Sequence, residues 1–138
     1  DVIRQSEKDS CFSAVGEMLS NGKLKEKQFI ESIGNPSNTE LLSDELSKTL
    51  GEDWTWKSRS FSSFAEISEN GPWAAVMYEY PWVPRNRGAN DPHVVVIDGV
   101  KSTGNLSILD PYEGTRYEMT ETDFKAAWTG QAVYRLKD

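Results

Sequence analysis

The hydrophobic pattern changes its period once along this 138-residue chain, and that change constrains the fold more than any other feature. From residue 10 to residue 50, apolar side chains recur every three or four positions, as on one face of an α-helix. From Asp53 onward they alternate with polar residues or form short β-branched runs, as in strands. The sequence therefore predicts a single α+β domain, with a helical half at about residues 1–52 and a sheet half at about residues 53–138.

Polar caps and glycines divide the helical half into three predicted helices. Asp9 and Ser10 are alternative N-caps for the first helix, because a side-chain oxygen at that position satisfies a free backbone N–H. Residues 37–40 read Ser-Asn-Thr-Glu, the spacing of a capping box, which predicts that the third helix starts with Ser37 as its N-cap. The helices are predicted at residues 10–19, 23–33 and 37–50.

The sheet half is predicted to consist of hairpin-connected antiparallel strands. The strongest strand patterns are WAAVMYEY at residues 73–80 and HVVVIDGV at residues 93–100, both rich in β-branched and aromatic side chains. Turn sequences separate the later strands, as hairpins require. Thr120 is predicted to cap the last helix. Further strands are predicted around residues 54–56 and at residues 106–109, 115–119 and 131–136, with a short helix at residues 61–70.

Charge and composition exclude several classes of function. The formal net charge is −7 and no basic stripe is present, so nucleic acid is an unlikely partner. No apolar run approaches the roughly 20 residues of a membrane span. One cysteine and one histidine are too few for an internal disulfide or for a zinc site of the usual type, and no nucleotide fingerprint occurs. We expect no metal and no cofactor.

The single cysteine, Cys11, stands where a polar segment gives way to the first predicted helix. A helix N-terminus carries unsatisfied N–H groups and a partial positive charge, which favour a thiolate over a thiol. This position is therefore expected to lower the pKa of Cys11 and to increase its nucleophilic fraction at neutral pH. A lone cysteine among apolar neighbours is also a common core residue, so a catalytic role depends on a proton acceptor nearby.

The single histidine, His93, lies where a long polar loop meets a predicted strand, and Asp110 ends the next strand. Because the start of one strand in an antiparallel hairpin lies beside the end of the other, Asp110 is expected to reach the imidazole and fix its tautomer. Asp91 and Asp98 are the alternatives. Asp98 lies an odd number of residues from His93 on one strand and so faces away, and Asp91 is too near in sequence to reach back comfortably.

Two further residues complete the candidate site. Gln5 precedes Cys11 by one short polar segment, so its amide is placed to donate to an oxyanion formed at the sulfur. Trp82, in the long loop before His93, is a candidate residue at the edge of a substrate-binding cleft.

The order Gln5, Cys11 at a helix start, His93 in HVVVIDGV and Asp110 in ILDPYEG resembles the papain-like cysteine peptidases. It is most similar to bacteriocin-processing peptidase domains and to papain-fold bacterial toxin domains.

This resemblance implies a papain-like fold, in which a helical half carrying the thiol packs on an antiparallel sheet carrying His and Asp, with the active site in the cleft between them. It also implies that Cys11 is the nucleophile and His93 the general base and acid. Asp110 would orient the imidazole of His93, and Gln5 would donate a hydrogen bond to the oxyanion. Phe12 directly follows the cysteine, where the family usually has Gly or Trp, and is expected to contact substrate near the thiol.

The expected function is that of a thiol hydrolase acting on peptide or amide bonds, with peptidase, deamidase and acyl transferase chemistry left open. Because the chain is short and begins without methionine, we expect an effector or toxin domain excised from a larger bacterial protein, delivered to the cytoplasm of a target bacterium. A protein or peptide substrate and an immunity protein covering the cleft are the expected partners. The alternatives are an inactive papain-like binding module and a papain-fold toxin acting on RNA.

Overall fold

A computed structural model describes residues 2–6, 10–34, 37–50, 54–61, 65–78, 93–112 and 114–137 of the chain. Within these ranges the helices are α1 (Cys11–Leu19), α2 (Glu26–Ile33), α3 (Thr39–Leu50), α4 (Ala65–Ser68) and α5 (Glu121–Ala127). The strands are β1 (Trp54–Ser60), β2 (Trp73–Met77), β3 (His93–Val100), β4 (Leu106–Asp110), β5 (Thr115–Met119) and β6 (Trp128–Lys137).

The strands form a six-stranded sheet in the order β1-β6-β2-β3-β4-β5, in which every neighbouring pair is antiparallel. The last strand, β6, pairs with both β1 and β2 and so joins the beginning of the sheet half to its centre. The predicted α+β architecture, with helices in the first half and an antiparallel sheet in the second, is confirmed.

The hydrophobic core lies on both faces of the sheet because successive strand residues point to opposite sides. On β3, Val94 and Val96 join the core cluster that contains the apolar residues of α1, α2 and α3. The alternate residues Val95 and Ile97 join a second cluster, which includes Phe124 of α5. Burial on both faces explains why the first five residues of β3 form an uninterrupted buried run.

Helix α1 runs along β3 with its N-terminus at the end of the strand where His93 lies. Phe12, in its first turn, shares a cavity with Val76 of β2. Val76 pairs with Val94, the residue after His93. At the other end of the helix, Leu19 shares a different cavity with Val96, farther along β3. The helix start that carries Cys11 and the strand start that carries His93 therefore lie at the same end of the sheet.

Two serines predicted as helix caps use their hydroxyls elsewhere: Ser10 occupies the N-cap position of α1 but makes no side-chain capping bond, and Ser37 is not the N-cap of α3. The Ser10 hydroxyl donates to Oε2 of Glu26 at 2.6 Å and makes no capping bond to α1. Ser37 donates to the carbonyl of Ile33, whereas Asn38 Oδ1 accepts the Leu41 N–H at 2.9 Å at the start of α3. In both places the serine hydroxyl finds a partner from a preceding or distant segment. Asp9 lies outside the described residues.

The remaining boundaries differ from the predicted ones by a few residues. Helix α2 starts at Glu26, because the Gln28 side chain accepts the Lys25 N–H at 2.7 Å and so closes its first turn. The predicted cap Thr120 is confirmed, since its Oγ1 accepts the Asp123 N–H at 3.1 Å. None of the helices in the described ranges is long and apolar enough to cross a bilayer.

Candidate active site

His93 and Asp110 lie in contact at the end of the β3–β4 hairpin. Nε2 of His93 is 2.9 Å from Oδ1 of Asp110, and the two side chains are 0% and 1% exposed. The register pairs Val96 with Leu109, so Asp110 has the same orientation across the sheet as Val95 and lies diagonally opposite His93 on the same face. The predicted proximity of these two side chains is confirmed, and it follows from hairpin geometry.

The other ring nitrogen of His93, Nδ1, takes no part in this contact. Nδ1 is buried and makes no hydrogen bond to any residue in the described ranges. The Nε2 contact is short, although its N–H is not aligned with the oxygen well enough for a good hydrogen bond. An imidazole that contacts a carboxylate at one nitrogen, and whose other nitrogen has no partner among the described residues, has the arrangement of a general base oriented by an acidic residue.

The surroundings of Asp110 keep it ionised. Burial by itself would raise the pKa of this carboxyl group, but the contact with His93, the charge of His93 and two further donors outweigh burial. The pKa of Asp110 therefore lies below its ordinary value of 3.8. At neutral pH the site therefore holds a carboxylate beside the imidazole of His93.

Sequence reasoning missed the two tyrosines that hold this carboxylate. Tyr117 donates its hydroxyl to Oδ2 of Asp110 at 2.8 Å, and the backbone N–H of Tyr112 donates to Oδ1 at 3.0 Å. Burial, the charge of Asp110 and this hydrogen bond raise the pKa of Tyr117 above its ordinary 10.0. The β4–β5 register explains the first contact, since Tyr117 pairs with Ile108 and so shares a face with Asp110. The turn at residues 110–114 predicted this hairpin, and pairing its two strands in register would have placed Tyr117 near Asp110.

Gln5 lies beside the same turn. Its backbone N–H donates to the carbonyl of Pro111 at 2.7 Å, and the residue is 7% exposed. The chain approaches the turn closely here, because a Cβ on Gly114 would come within 2.9 Å of Cβ of Arg4. Gly114 also has a positive φ of 69°, which glycine adopts without strain. The structure therefore brings Gln5, His93 and Asp110 into one neighbourhood.

The buried carboxylate of Glu26 binds both Ser6, which follows Gln5, and Ser10, which precedes Cys11. Oε2 of Glu26 accepts the backbone N–H of Ser6 at 2.9 Å and the hydroxyl of Ser10 at 2.6 Å. Cys11 follows directly as the first residue of α1 and is 4% exposed. This arrangement holds the cysteine at the helix N-terminus, at the His93 end of the sheet. The Cys11–His93 contact stays a prediction.

The other candidates fall in different places. Asp98 is on β3 but pairs with Arg116 at 3.0 Å and is partly exposed, consistent with the prediction that it faces away from His93. Phe12 is a buried core residue that also lines a cavity, so its predicted contact with substrate stays a prediction. Asp91 and Trp82 lie outside the described residues. Among the residues that the structure does describe, no cluster of potential metal ligands occurs.

Comparison with known proteins gives one curated relative and several structural neighbours. No protein-family model matches the chain. Cysteine protease effector 1 of Escherichia coli O1:K1:H7 is 36% identical over 140 residues, which cover 98% of this chain and 26% of that protein. The chain thus spans about a quarter of the length of this relative.

The structural neighbours are peptidase domains from bacterial export systems. A double glycine motif protease from an AMS/PCAT transporter, solved with its leader peptide, has a TM-score of 0.73 at 19% identity, covering 99% of this chain and 90% of that one. The peptidase domain of Streptococcus ComA has a TM-score of 0.67 at 19% identity, covering 99% and 98%. A C39-like peptidase domain from Vibrio parahaemolyticus has a TM-score of 0.60 at 12% identity, covering 96% and 100%.

This chain has the fold of the papain-like cysteine peptidases. The predicted resemblance is thereby confirmed, both to the bacteriocin-processing type and to a bacterial effector.

Proposed function

We propose that this papain-like domain is a thiol hydrolase that cleaves peptide bonds through Cys11, His93 and Asp110. The observation that carries the proposal is the buried His93–Asp110 pair, which leaves Nδ1 of His93 without a partner among the described residues. Cys11 lies at the N-terminus of α1, at the same end of the sheet. The 36% identity to a cysteine protease effector supports the same chemistry.

The proposed reaction starts from a thiolate at Cys11 and a protonated His93. The sulfur attacks the carbonyl carbon of the substrate, and the carbonyl oxygen becomes an oxyanion. The Gln5 amide and the backbone N–H of Cys11 are the expected donors to it. His93 gives its proton to the leaving amine as the C–N bond breaks, which leaves an acyl-enzyme thioester. A water molecule, deprotonated by His93, then adds to the thioester; the C–S bond breaks, the carboxylic acid product is released, and the Cys11 thiolate and protonated His93 are restored.

The role of Asp110 in this scheme is to orient the imidazole of His93. Its pKa is lowered, so it stays a carboxylate throughout the cycle at neutral pH. Deamidation and acyl transfer use the same first step and differ in the leaving group or in the second nucleophile. A peptide substrate is favoured because the transporter peptidase is bound to its leader peptide in the neighbouring structure.

An effector role is the second part of the proposal. The relative is named an effector, and this chain matches only 26% of its length, as expected for a domain of a longer secreted protein. In such a system, the domain acts in the cytoplasm of a target bacterium, and the producing cell carries an immunity protein that covers the cleft. Growth inhibition of a bacterial host by the wild-type domain, lost in Cys11→Ala, is the expected result.

Alkylation by iodoacetamide tests the thiol mechanism directly, because Cys11 is the only cysteine. At mildly acidic pH an ion-paired thiolate reacts quickly, whereas a thiol with the ordinary pKa of about 8.5 is mostly protonated. We expect fast alkylation in the wild type and at least about tenfold slower alkylation in His93→Ala.

The control is Asp98→Asn, which removes a carboxylate from the same strand outside the site. It should alkylate like the wild type. Slow alkylation that His93→Ala leaves unchanged would favour the inactive binding module. Growth inhibition that survives Cys11→Ala would exclude every thiol mechanism and favour the RNA-directed toxin.

A further inference from the structure

A cavity of about 350 Å³ opens beside the residue that follows the nucleophile. It lies where the first turn of α3 approaches β2 and β6, on the side of the sheet that carries α1. Its lining residues are Phe12, Ser37, Asn38, Thr39, Glu40, Val76 and Gln131. Phe12 directly follows Cys11 in the first turn of α1, so the cavity lies at the end of the helix that carries the proposed nucleophile.

The lining combines an apolar floor with a polar rim. Phe12 and Val76 are each 4% exposed and belong to the core cluster under α1. Glu40 and Gln131 are exposed at the mouth, on α3 and β6 respectively. Such a cavity accommodates a long side chain whose stem is apolar and whose end is polar.

The side chains of Glu40 and Gln131, at the mouth of the cavity, make no contact that stabilises the described part of the fold through a hydrogen bond or an ion pair. Asn38 differs, because its Oδ1 already accepts the Leu41 N–H. The one charged side chain among the described lining residues is therefore negative, and none of those residues is a lysine or arginine.

We infer that this cavity binds a lysine or arginine side chain of the substrate, close to the bond attacked by Cys11. The aliphatic stem would contact Phe12 and Val76, and the cationic end would pair with Glu40 and hydrogen-bond to Gln131. The net charge of −7 also favours the approach of basic segments. This inference rests on the proposed function, since it assigns a substrate preference to the same site.

The test measures reactivity of Cys11 toward a series of methanethiosulfonates. Each reagent forms a disulfide with the thiolate and releases methanesulfinate, and Cys11 is the only thiol that can react. The cationic reagents run from aminoethyl to aminohexyl, and each is compared with the neutral alkyl reagent of equal length. The ratio of cationic to neutral rates is divided by the same ratio for glutathione, which removes intrinsic reactivity.

We expect the corrected ratio to rise with the length of the reagent's alkyl chain and to reach a maximum of about fivefold at the length that brings the amine to Glu40. High salt should lower this maximum. In Glu40→Gln the maximum should disappear. The matched control is Glu31→Gln, which removes the same charge from an exposed position on α2 that does not line the cavity. This control should keep the maximum.

The outcomes separate this inference from the proposed function. If the rate ratio does not depend on the length of the reagent, or if the Glu40→Gln variant still shows the maximum, the inference is overturned and the thiol mechanism stays intact. Equal loss of the maximum in Glu40→Gln and Glu31→Gln also overturns it, because general acidity would then explain the effect. Failure of every reagent to modify Cys11 overturns the proposed function itself.

Discussion

At the scale of single residues, the most informative group in this protein is the carboxylate of Asp110. Its two oxygens contact the imidazole of His93, the backbone of Tyr112 and the hydroxyl of Tyr117. A buried carboxylate is costly unless such partners satisfy it, and here they hold its pKa below the ordinary value. The same contacts that make its burial tolerable also fix the orientation of His93.

Asp110 and Asp98 provide a matched pair of substitutions in one hairpin. Asp110→Asn is expected to lower thiol-dependent hydrolysis by roughly 10²-fold or more, because an uncharged amide replaces the carboxylate that orients the imidazole of His93. Asp98→Asn removes only a partly exposed pair with Arg116 and should change activity little and stability by no more than about 1 kcal/mol. Steady-state kinetics and urea unfolding of both variants check this. Equal losses in the two variants would contradict the assignment of Asp110 as orienter.

The lowered pKa of Asp110 also predicts how stability depends on pH. A carboxyl group whose pKa is lower in the folded state stabilises the fold above its unfolded pKa, near 3.8, and this contribution is lost as pH falls through the folded value. The stability difference between wild type and Asp110→Asn should therefore be largest near neutral pH and shrink below about pH 4. Urea unfolding at a series of pH values measures it. A difference that does not vary with pH would contradict the prediction.

At the scale of secondary-structure elements, the contact between α1 and α2 sets where the cysteine lies. Gly16, in the middle of α1, is packed against the ring of Phe29, and a Cβ at this position would lie 2.8 Å from Cε1 and Cζ. Phe29 is 1% exposed, so its ring has little room to move. The absence of a side chain at Gly16 thus allows the two helices to approach closely.

Gly16→Ala is expected to destabilise the protein in spite of a better helix propensity. The propensity gain is about 1 kcal/mol, whereas overpacking of a buried contact costs roughly 1–3 kcal/mol. The control is the same substitution in a Phe29→Leu background, where the smaller side chain leaves room for the methyl group. There, Gly16→Ala should be neutral or stabilising. Urea unfolding of the four proteins tests this, and additive effects would exclude the proposed clash.

At the scale of the whole molecule, the sheet joins the helical half to the rest of the chain. The helices α1 to α3 share one core with residues of β1, β2, β3, β4 and β6, and α5 belongs to the core on the opposite face. Because β6 pairs with β1 and β2, loss of either face would expose apolar surface of the same central strands. This coupling supports the prediction of a single domain.

Unfolding in urea should therefore occur in one transition. All the tryptophans lie after residue 53, so their fluorescence follows the sheet half, whereas far-UV circular dichroism is dominated by the helices. The two signals should have the same midpoint, as expected for a cooperative domain of this size. Separate midpoints would show that the halves predicted at residues 1–52 and 53–138 unfold independently.

The sequence was sufficient to predict features that depend on a local pattern of residues or on which face of a strand a side chain occupies. The change of period predicted the α+β fold, and hairpin geometry predicted that Asp110 would reach His93. It failed at Ser37, which is not the N-cap of α3, and it located Ser10 at the N-cap of α1 without anticipating that its hydroxyl bonds to Glu26.

Contacts between segments far apart in the chain were decided only by the tertiary structure. The support of Asp110 by Tyr117 depends on the register of β4 and β5, and the bonds from Ser6 and Ser10 to Glu26 depend on how α2 packs beside α1. The cavity beside Phe12 exists because α3, β2 and β6 meet there. Each of these features arises from the packing of elements, which no local pattern of residues specifies.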